Sequence, residues 1–362
     1  MYLMLKDTPV LQFDLDKGLF HVMNRELLPL RLRCIPESDN SFSTYRKGYD
    51  LLISFLSGRV LNLDRENAKK ILNALKLTQS QSPLDRAKIA ISVRAVSVID
   101  CFWLKEENEK LSWNDVNVRK VSLSEAVAHI ALHGSSLTIE GIPHTPELTG
   151  LGAYAKAWIR ENDTLLLYKK GFRGDTESKI EVMVSRLLDK LGISHVPYEL
   201  TKHENDIVCS CPCIANDELS IASFEDFEFY CNQVGKNAEL EIKKMDSKHF
   251  YEMLVVDYLI SNADRHGQNW GVYVDNDTGK VIGLHPLFDH NNSFDKDRMK
   301  DPEGGPCISM KANKTQREAA LYAIQRCNIK VSDAITRKDF LTEEQYLVFK
   351  NRAKELNIEL YP

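Results

Sequence analysis

The sequence predicts an α+β fold in two lobes, a β-rich lobe followed by a mainly helical one, with an accessory region in front. Three observations predict it. After a loop rich in glycine and proline, Gly141–Gly152, come two strand-like runs, an amphipathic helix and a second strand pair. From about Ser247 onward, apolar residues recur mainly at helical spacing. Between the later helices lies Ser261–Phe294, SNADRHGQNWGVYVDNDTGKVIGLHPLFDHNNSF, where acids and amides are grouped around a hairpin signal. The expected division is 1–140 for an accessory α/β region, 141–216 for the β-rich lobe and 217–362 for the helical lobe.

In chain order, Tyr2–Leu5 and Val10–Phe13 read as short strands, and Asp64–Leu77 and Ser122–Leu132 as helices. Ser122 and Glu125 form a capping-box pattern, and Gly134 follows the last apolar turn. Nothing in this first region points to chemistry. Ala153–Arg160 and Thr164–Lys169 are strand-like around the turn residues Glu161-Asn162-Asp163. Thr176–Leu191 is an amphipathic helix, with Ile180, Met183, Val184, Leu187, Leu188 and Leu191 on one face and Gly192 ending it. Tyr198–Thr201 and Ile207–Ile214 form the second strand pair. Ser247 would cap a helix running to about Ile260. Trp270–Val274 and Lys280–Leu284 alternate like strands around the turn Asn276-Asp277-Thr278-Gly279. Helices at Thr315–Cys327 and Thr342–Leu356 would close the second lobe.

Composition removes several classes. At 43% hydrophobic and 27% charged, the chain can bury a core and is not a disordered polymer. A net charge of −5 argues against direct nucleic-acid binding, which uses basic surfaces. No apolar run is long enough to span a bilayer, and Lys6 and Asp7 interrupt the start too early for a signal peptide. The expectation is a cytoplasmic protein with reduced thiols and no membrane partner. Cys209, Cys211 and Cys213 would share one face of a strand. Metal sites more often use a two-residue gap, so a buried strand with small apolar side chains is the expectation.

The chemistry lies in Asp264, Asn269 and Asp289. A hairpin returns the chain close to where it began, so Asn269 and Asp289 should be neighbours. A carboxylate and an amide oxygen are ligands for hard cations such as Mg2+. Asp264 would sit beside them and could accept the proton of an attacking hydroxyl. Metal-held phosphates and an acid that orients a hydroxyl are what phosphoryl transfer from ATP requires. Asp and Asn are also common in loops and caps; the joint pattern carries the argument. The order of glycine loop, hairpin, helix and further strands agrees with the N-lobe of a protein-kinase-like fold.

These residues resemble a family. Ser261-Asn262-Ala263-Asp264-Arg265-His266-Gly267-Gln268-Asn269 resembles the N-x-D-R-H-x-x-N catalytic loop of the HipA-like serine/threonine kinases. The phosphatidylinositol kinases, related in fold, share that loop. Leu287-Phe288-Asp289 with Ser293 is similar to the metal-binding segment, and Thr149-Gly150-Leu151-Gly152-Ala153-Tyr154-Ala155-Lys156 to the phosphate loop. The resemblance covers about Leu148–Phe294. The first region does not match the HipA accessory domain, and the chain looks closer to shorter HipA-like proteins than to the toxin itself.

The resemblance implies ATP and Mg2+ as cofactors and a protein serine or threonine hydroxyl as acceptor. It implies that Lys169 contacts the α- and β-phosphates, with Lys170 as rival because one step of register turns a side chain to the other face. Glu181, at the edge of its helix's apolar stripe, would pair with that lysine. Gly150 and Gly152 would let backbone N–H groups approach phosphate. Ile214–Asn216 would be the adenine hinge, and His266 a scaffold of the catalytic loop or a phosphate contact. Thr149 stands where HipA toxins autophosphorylate, and an antitoxin-like partner is implied. Two other readings stay open: a lipid or small-molecule kinase of the same fold, and a nucleotide-binding toxin–antitoxin module that acts by holding a partner.

Overall fold

The structure, a computed structural model, describes residues 1–37, 42–135, 139, 146–149, 152–172, 174–310 and 313–361. The chain forms two compact units. The first comprises Met1–Lys169, Pro212–Ala222 and Val274–Val281; the second comprises Lys170–Cys211, Ser223–Tyr273 and Ile282–Pro362. The boundaries expected near residues 140 and 216 are not those of the compact units, and the three-part division remains a proposal about roles.

In the first unit, β1 (Tyr2–Leu5), β2 (Thr8–Asp14), β3 (Leu19–Val22) and β4 (Phe102–Lys105) make an antiparallel sheet in the order β3-β2-β1-β4. Two helices that the sequence reading left out, α1 (Phe42–Ser57) and α3 (Pro83–Ser92), pack on each other, with α2 (Ala68–Ala74) between them in sequence. Leu3, Leu11, Leu56, Ile89 and Trp103 belong to the shared core. α2 is shorter than the Asp64–Leu77 expected. A helical turn, α4 (Trp113–Val116), precedes α5 (Glu125–His133). The cap of α5 is Ser124, whose hydroxyl accepts from Val127 N, and not Ser122. Gly134 ends α5 in the left-handed conformation, as its position predicted.

β5 (Lys156–Glu161) and β6 (Thr164–Lys169) follow as an antiparallel hairpin. Its loop residues, Asn162 and Asp163, both have positive φ, the type I′ geometry that matches strand twist. In the second unit, α6 (Thr176–Lys190) leads to the hairpin β7 (Glu199–His203) and β8 (Asp206–Pro212). Cys209 and Cys211 are buried on β8, and none of the eight cysteines is in a disulfide. Among the described residues no metal-ligating cluster includes them.

β9 (Leu219–Ser223) ends at α7 (Phe224–Gln233), capped by Ser223. α8 (Ala238–Leu259) begins earlier than predicted, at the cap Asn237, and is broken at Asp246, where φ is −150° and ψ 62°. The break falls one residue before the start expected at Ser247. The Asp246 carboxylate accepts from Leu284 N at 2.9 Å and lies 2.9 Å from His249 Nδ1. β10 (Gly271–Asp275) and β11 (Val281–Leu284) form the predicted hairpin. Its tip belongs to the first unit, where the N-terminal region holds it. Lys6 pairs with Asp277 at 3.0 Å, and Arg33 donates to Gly279 O. A Cβ on Gly279 would lie 2.0 Å from Glu26 O, so only glycine fits there.

The C-terminal part of the second unit holds α9 (Lys296–Lys300), α10 (Gln316–Ile324) and α11 (Glu343–Glu355). α10 and α11 pack on α8 around Phe250, Met253 and Phe349. Both carry complete capping boxes, Thr315 with Glu318 and Thr342 with Gln345. No helix among the described residues is long and apolar enough to cross a membrane.

Candidate active site

The site is assembled within the second unit, at the end of α8. That helix is apolar through MLVVDYLI except for Asp257, which is 3% exposed. A buried carboxylate needs partners. Asp257 accepts from Asn262 Nδ2 at 2.9 Å and from Arg265 Nε at 3.1 Å. The helix unwinds at Ser261, whose φ is +52°, and Asn262 Oδ1 receives Asp264 N at 3.0 Å. Asn262 thus joins the helix end to Asp264.

Arg265 is 1% exposed and ties three parts together. Its Nε meets Asp257, and its Nη1 donates to Asn269 O and to Phe288 O, each at 2.8 Å. The last turns of α8, the end of the loop and the segment before Asp289 therefore converge on one guanidinium. The hairpin makes this possible: His285 N donates to Gly271 O at 3.2 Å, returning the chain to its start. A planar donor fork with fixed geometry suits this task, which a lysine could not reproduce.

Asn269 Nδ2 donates to Asp264 O at 2.8 Å. A carbonyl can only accept, so the amide's nitrogen faces it and Oδ1 remains for another ligand. Asp264 is partly exposed; its Oδ2 accepts from Asn292 Nδ2 at 2.9 Å, and Oδ1 lies 3.6 Å from His266 Nε2. Asp289 has φ +62°, the left-handed region that a non-glycine residue occupies at a cost. Its neighbour His290 gives its backbone N–H to Glu181 Oε1 at 2.6 Å. Leu287 is fixed on both sides, donating to Ser194 O and accepting from Val196 N.

Two buried histidines flank the segment. Burial pushes His285 down to about 4, helped by the charge of Arg265, so it stays neutral. Its ring stacks on Phe288 with centroids 5.0 Å apart. Burial also lowers His290, against the pull of Glu181. A donor set of one carboxylate and one amide oxygen, Asp289 and Asn269, fits a hard divalent cation such as Mg2+.

Not every expected residue lies where the sequence placed it. Glu181 is not at the edge of an apolar stripe; it is fully buried on α6, bonded to the His290 amide. His266 is exposed, and its Nδ1 accepts from Gln268 N at 3.2 Å. The buried scaffold of the loop is Arg265. Arg265, Asp257, Asn262 and Asn292 went unassigned in sequence. The available signals were an aspartate inside an apolar helix run, for Asp257, and the fixed N and R positions of the motif, for Asn262 and Arg265.

The other predicted residues, Lys170 apart, lie in the first unit. Lys169 is 6% exposed at the end of β6, opposite Lys156. Lys170, in the second unit, pairs with Asp206 at 2.6 Å. Thr149 is buried in a short 3-10 turn, Pro146–Thr149, and donates to Pro146 O at 3.1 Å. Gly152 has φ +90°; Gly150 lies outside the described residues. Asn216 closes a turn, its Oδ1 accepting from Glu218 N and Leu219 N. Beside it, Ile214 follows Cys213, whose N donates to Leu165 O on β6 at 3.0 Å.

This fold, with its loop and hairpin, is the two-lobed, protein-kinase-like fold of the HipA-like kinases. The structure is similar to HipA of Shewanella oneidensis MR-1, solved in a complex with HipB and its operator DNA. The TM-score is 0.57 and the identity 11%, over 99% of this chain and 97% of that one. The likeness takes in the N-terminal region, correcting the expectation that this region stands apart from HipA. In sequence the chain is 23% identical over 180 residues to the serine/threonine-protein kinase CtkA of Helicobacter pylori. That match covers 45% of this chain and 54% of CtkA, so the chain spans about half the length of this curated relative. The crystal structure of CtkA aligns with a TM-score of 0.43 and 16% identity, over 57% of this chain and 90% of that one. No family model matches the chain.

Proposed function

We propose that this chain is an ATP- and Mg2+-dependent phosphotransferase, a HipA-like kinase acting on a protein serine or threonine hydroxyl. The observation that carries the reading is the convergence on Arg265, which fixes Asn269 and the Asp289 segment while leaving the Asp264 carboxylate partly exposed. The names of HipA and CtkA agree with it. Asp264 accepts or orients the proton of the attacking hydroxyl, and Asn292 holds that carboxylate in place. Asn269 and Asp289 would hold the cation, which when bound would supply positive charge beside the transferring phosphate.

Lys169 is the candidate for the phosphate-contacting lysine, because Lys170 is committed to Asp206. Gly150 and Gly152 are proposed to admit phosphate, and Ile214–Asn216 to meet adenine. Glu181 acts here by holding the His290 amide. Thr149 is the candidate for self-phosphorylation. Its hydroxyl is buried and bonded, so transfer to it requires the 146–149 turn to leave its place. A phosphate there would repel ATP. An antitoxin-like protein is the proposed partner, by likeness to the HipA complex, and any DNA contact would run through it.

The test is intact-mass spectrometry of the full chain with MgATP and candidate protein substrates, beside Asp264→Asn and Asp289→Asn. A gain of one phosphate in wild type, reduced roughly 10²–10⁴-fold in rate in Asp264→Asn, is expected. Peptide mapping then reads Thr149. A gain of nucleotide instead of phosphate would overturn the kinase reading.

A further inference from the structure

We infer that Arg65 is a positioning residue for the triphosphate. From the N-terminal region it fixes both ends of the phosphate-loop segment, and so sets the affinity for ATP. The inference rests on reading Thr149–Lys156 as a phosphate loop.

Arg65 is 3% exposed. Its Nη1 donates to Glu147 O at 2.9 Å and its Nη2 to Lys156 O. These carbonyls bracket the segment that carries Thr149 and Gly152. Neighbours in the same stretch add two backbone bonds: Leu61 N donates to Leu148 O, and Glu66 N to Ala153 O at 2.8 Å. Leu61, Arg65 and Glu66 thus bond to backbone on both sides of the loop. Glu147, itself 2% exposed, accepts from Trp158 N on β5 at 2.8 Å and lies close enough to balance the guanidinium charge.

Burying a guanidinium to hold two carbonyls is an expensive way to brace a turn. Its advantage is geometric. One rigid fork reaches both ends of the segment, where a lysine would serve one carbonyl at a time. Holding Glu147 O and Lys156 O sets the backbone on either side of the segment in place before a ligand arrives, and preorganisation of this kind strengthens affinity without any contact to the ligand. The adenosine moiety would not depend on this brace.

The test uses the full chain with Arg65→Lys and Arg65→Met. Affinities for MgATP and for adenosine are measured by calorimetry, folding by far-UV circular dichroism, and hydrogen exchange over residues 146–156. Arg65→Lys, with one charge-assisted bond lost, should bind ATP about tenfold more weakly. Adenosine affinity should not change, and exchange over 146–156 should quicken. Equal weakening of both ligands, or of neither, in folded protein overturns the inference. So does failure of both variants to fold, since Arg65 would then be a structural residue only. Wild-type protein that binds adenosine but gains nothing from the phosphates would instead sink the reading of the loop, whatever exchange shows.

Discussion

Asp257 and Asp217 each gather a knot of polar side chains, one in each unit, and the knots are built in opposite ways. Asp257 is buried in the second unit and faces Arg265 and Asn262 from inside a helix. Asp217 is partly exposed in the first unit, beside the proposed adenine hinge. It receives Trp113 Nε1, Asn117 Nδ2 and Arg119 Nη2, each at 3.1 Å, and Lys120 Nζ at 2.6 Å. Burial pushes the Asp217 carboxyl up, but the bonds from Lys120, Trp113 and Arg119 outweigh it and hold the group well below the usual carboxylate range. The buried knot relies on having few, well-placed partners. The exposed one relies on having many. The first should be costly to break and indifferent to salt; the second should be cheap to break and salt-dependent.

Substituting Asp257→Ala should have the largest effect. It leaves the Arg265 charge buried without its carboxylate, at a cost of about 3–5 kcal/mol. The urea midpoint should fall accordingly, by the same amount at low and high salt. Adding Arg265→Met should restore part of the loss, because the orphaned charge goes with it. If the double variant is no more stable than Asp257→Ala, the knot is not organised around this pair.

His285 extends the buried knot into a pH dependence. Its folded value of about 4 lies below its ordinary 6.5, so the unfolded chain takes up the proton first as pH falls. Its contribution is complete above about pH 6.5 and is lost progressively toward pH 4, amounting to about 3 kcal/mol at most. Thermal melts of wild type and His285→Gln between pH 7 and 4 should converge as the pH drops. Parallel curves would mean that His285 is not held neutral.

The smallest effect belongs to Asp217→Ala, about 1 kcal/mol, because water and mobile ions can replace part of what is lost. The difference from wild type should shrink as salt rises. A loss as large as that of Asp257→Ala, and independent of salt, would erase the contrast between the two knots.

The loop that joins Asp264 to Asn269 was legible because its residues are close in sequence. The segment before Asp289 needed only a hairpin to reach it, and the turn before Gly279 announced that hairpin. The helices α6, α10 and α11 were legible for the same local reason. What escaped was long-range or competitive. Arg65 matters through carbonyls far along the chain, and a carbonyl leaves no trace in sequence. The start of α8 was missed because Asp246 interrupts its pattern, and the cap of α5 because two serines compete two positions apart. Glu181 was placed by periodicity at a helix edge, yet it is buried because it accepts a backbone N–H.

The left-handed backbone at Asp289 has an evolutionary consequence. Glycine and asparagine occupy that conformation most readily. Either one removes the carboxylate charge while easing the local strain. On the proposed reading, in which Asp289 holds the cation, drift at this codon would abolish phosphoryl transfer without unfolding the chain. Among descendants of this chain, a silent copy that keeps its shape should then carry its first scar at this position.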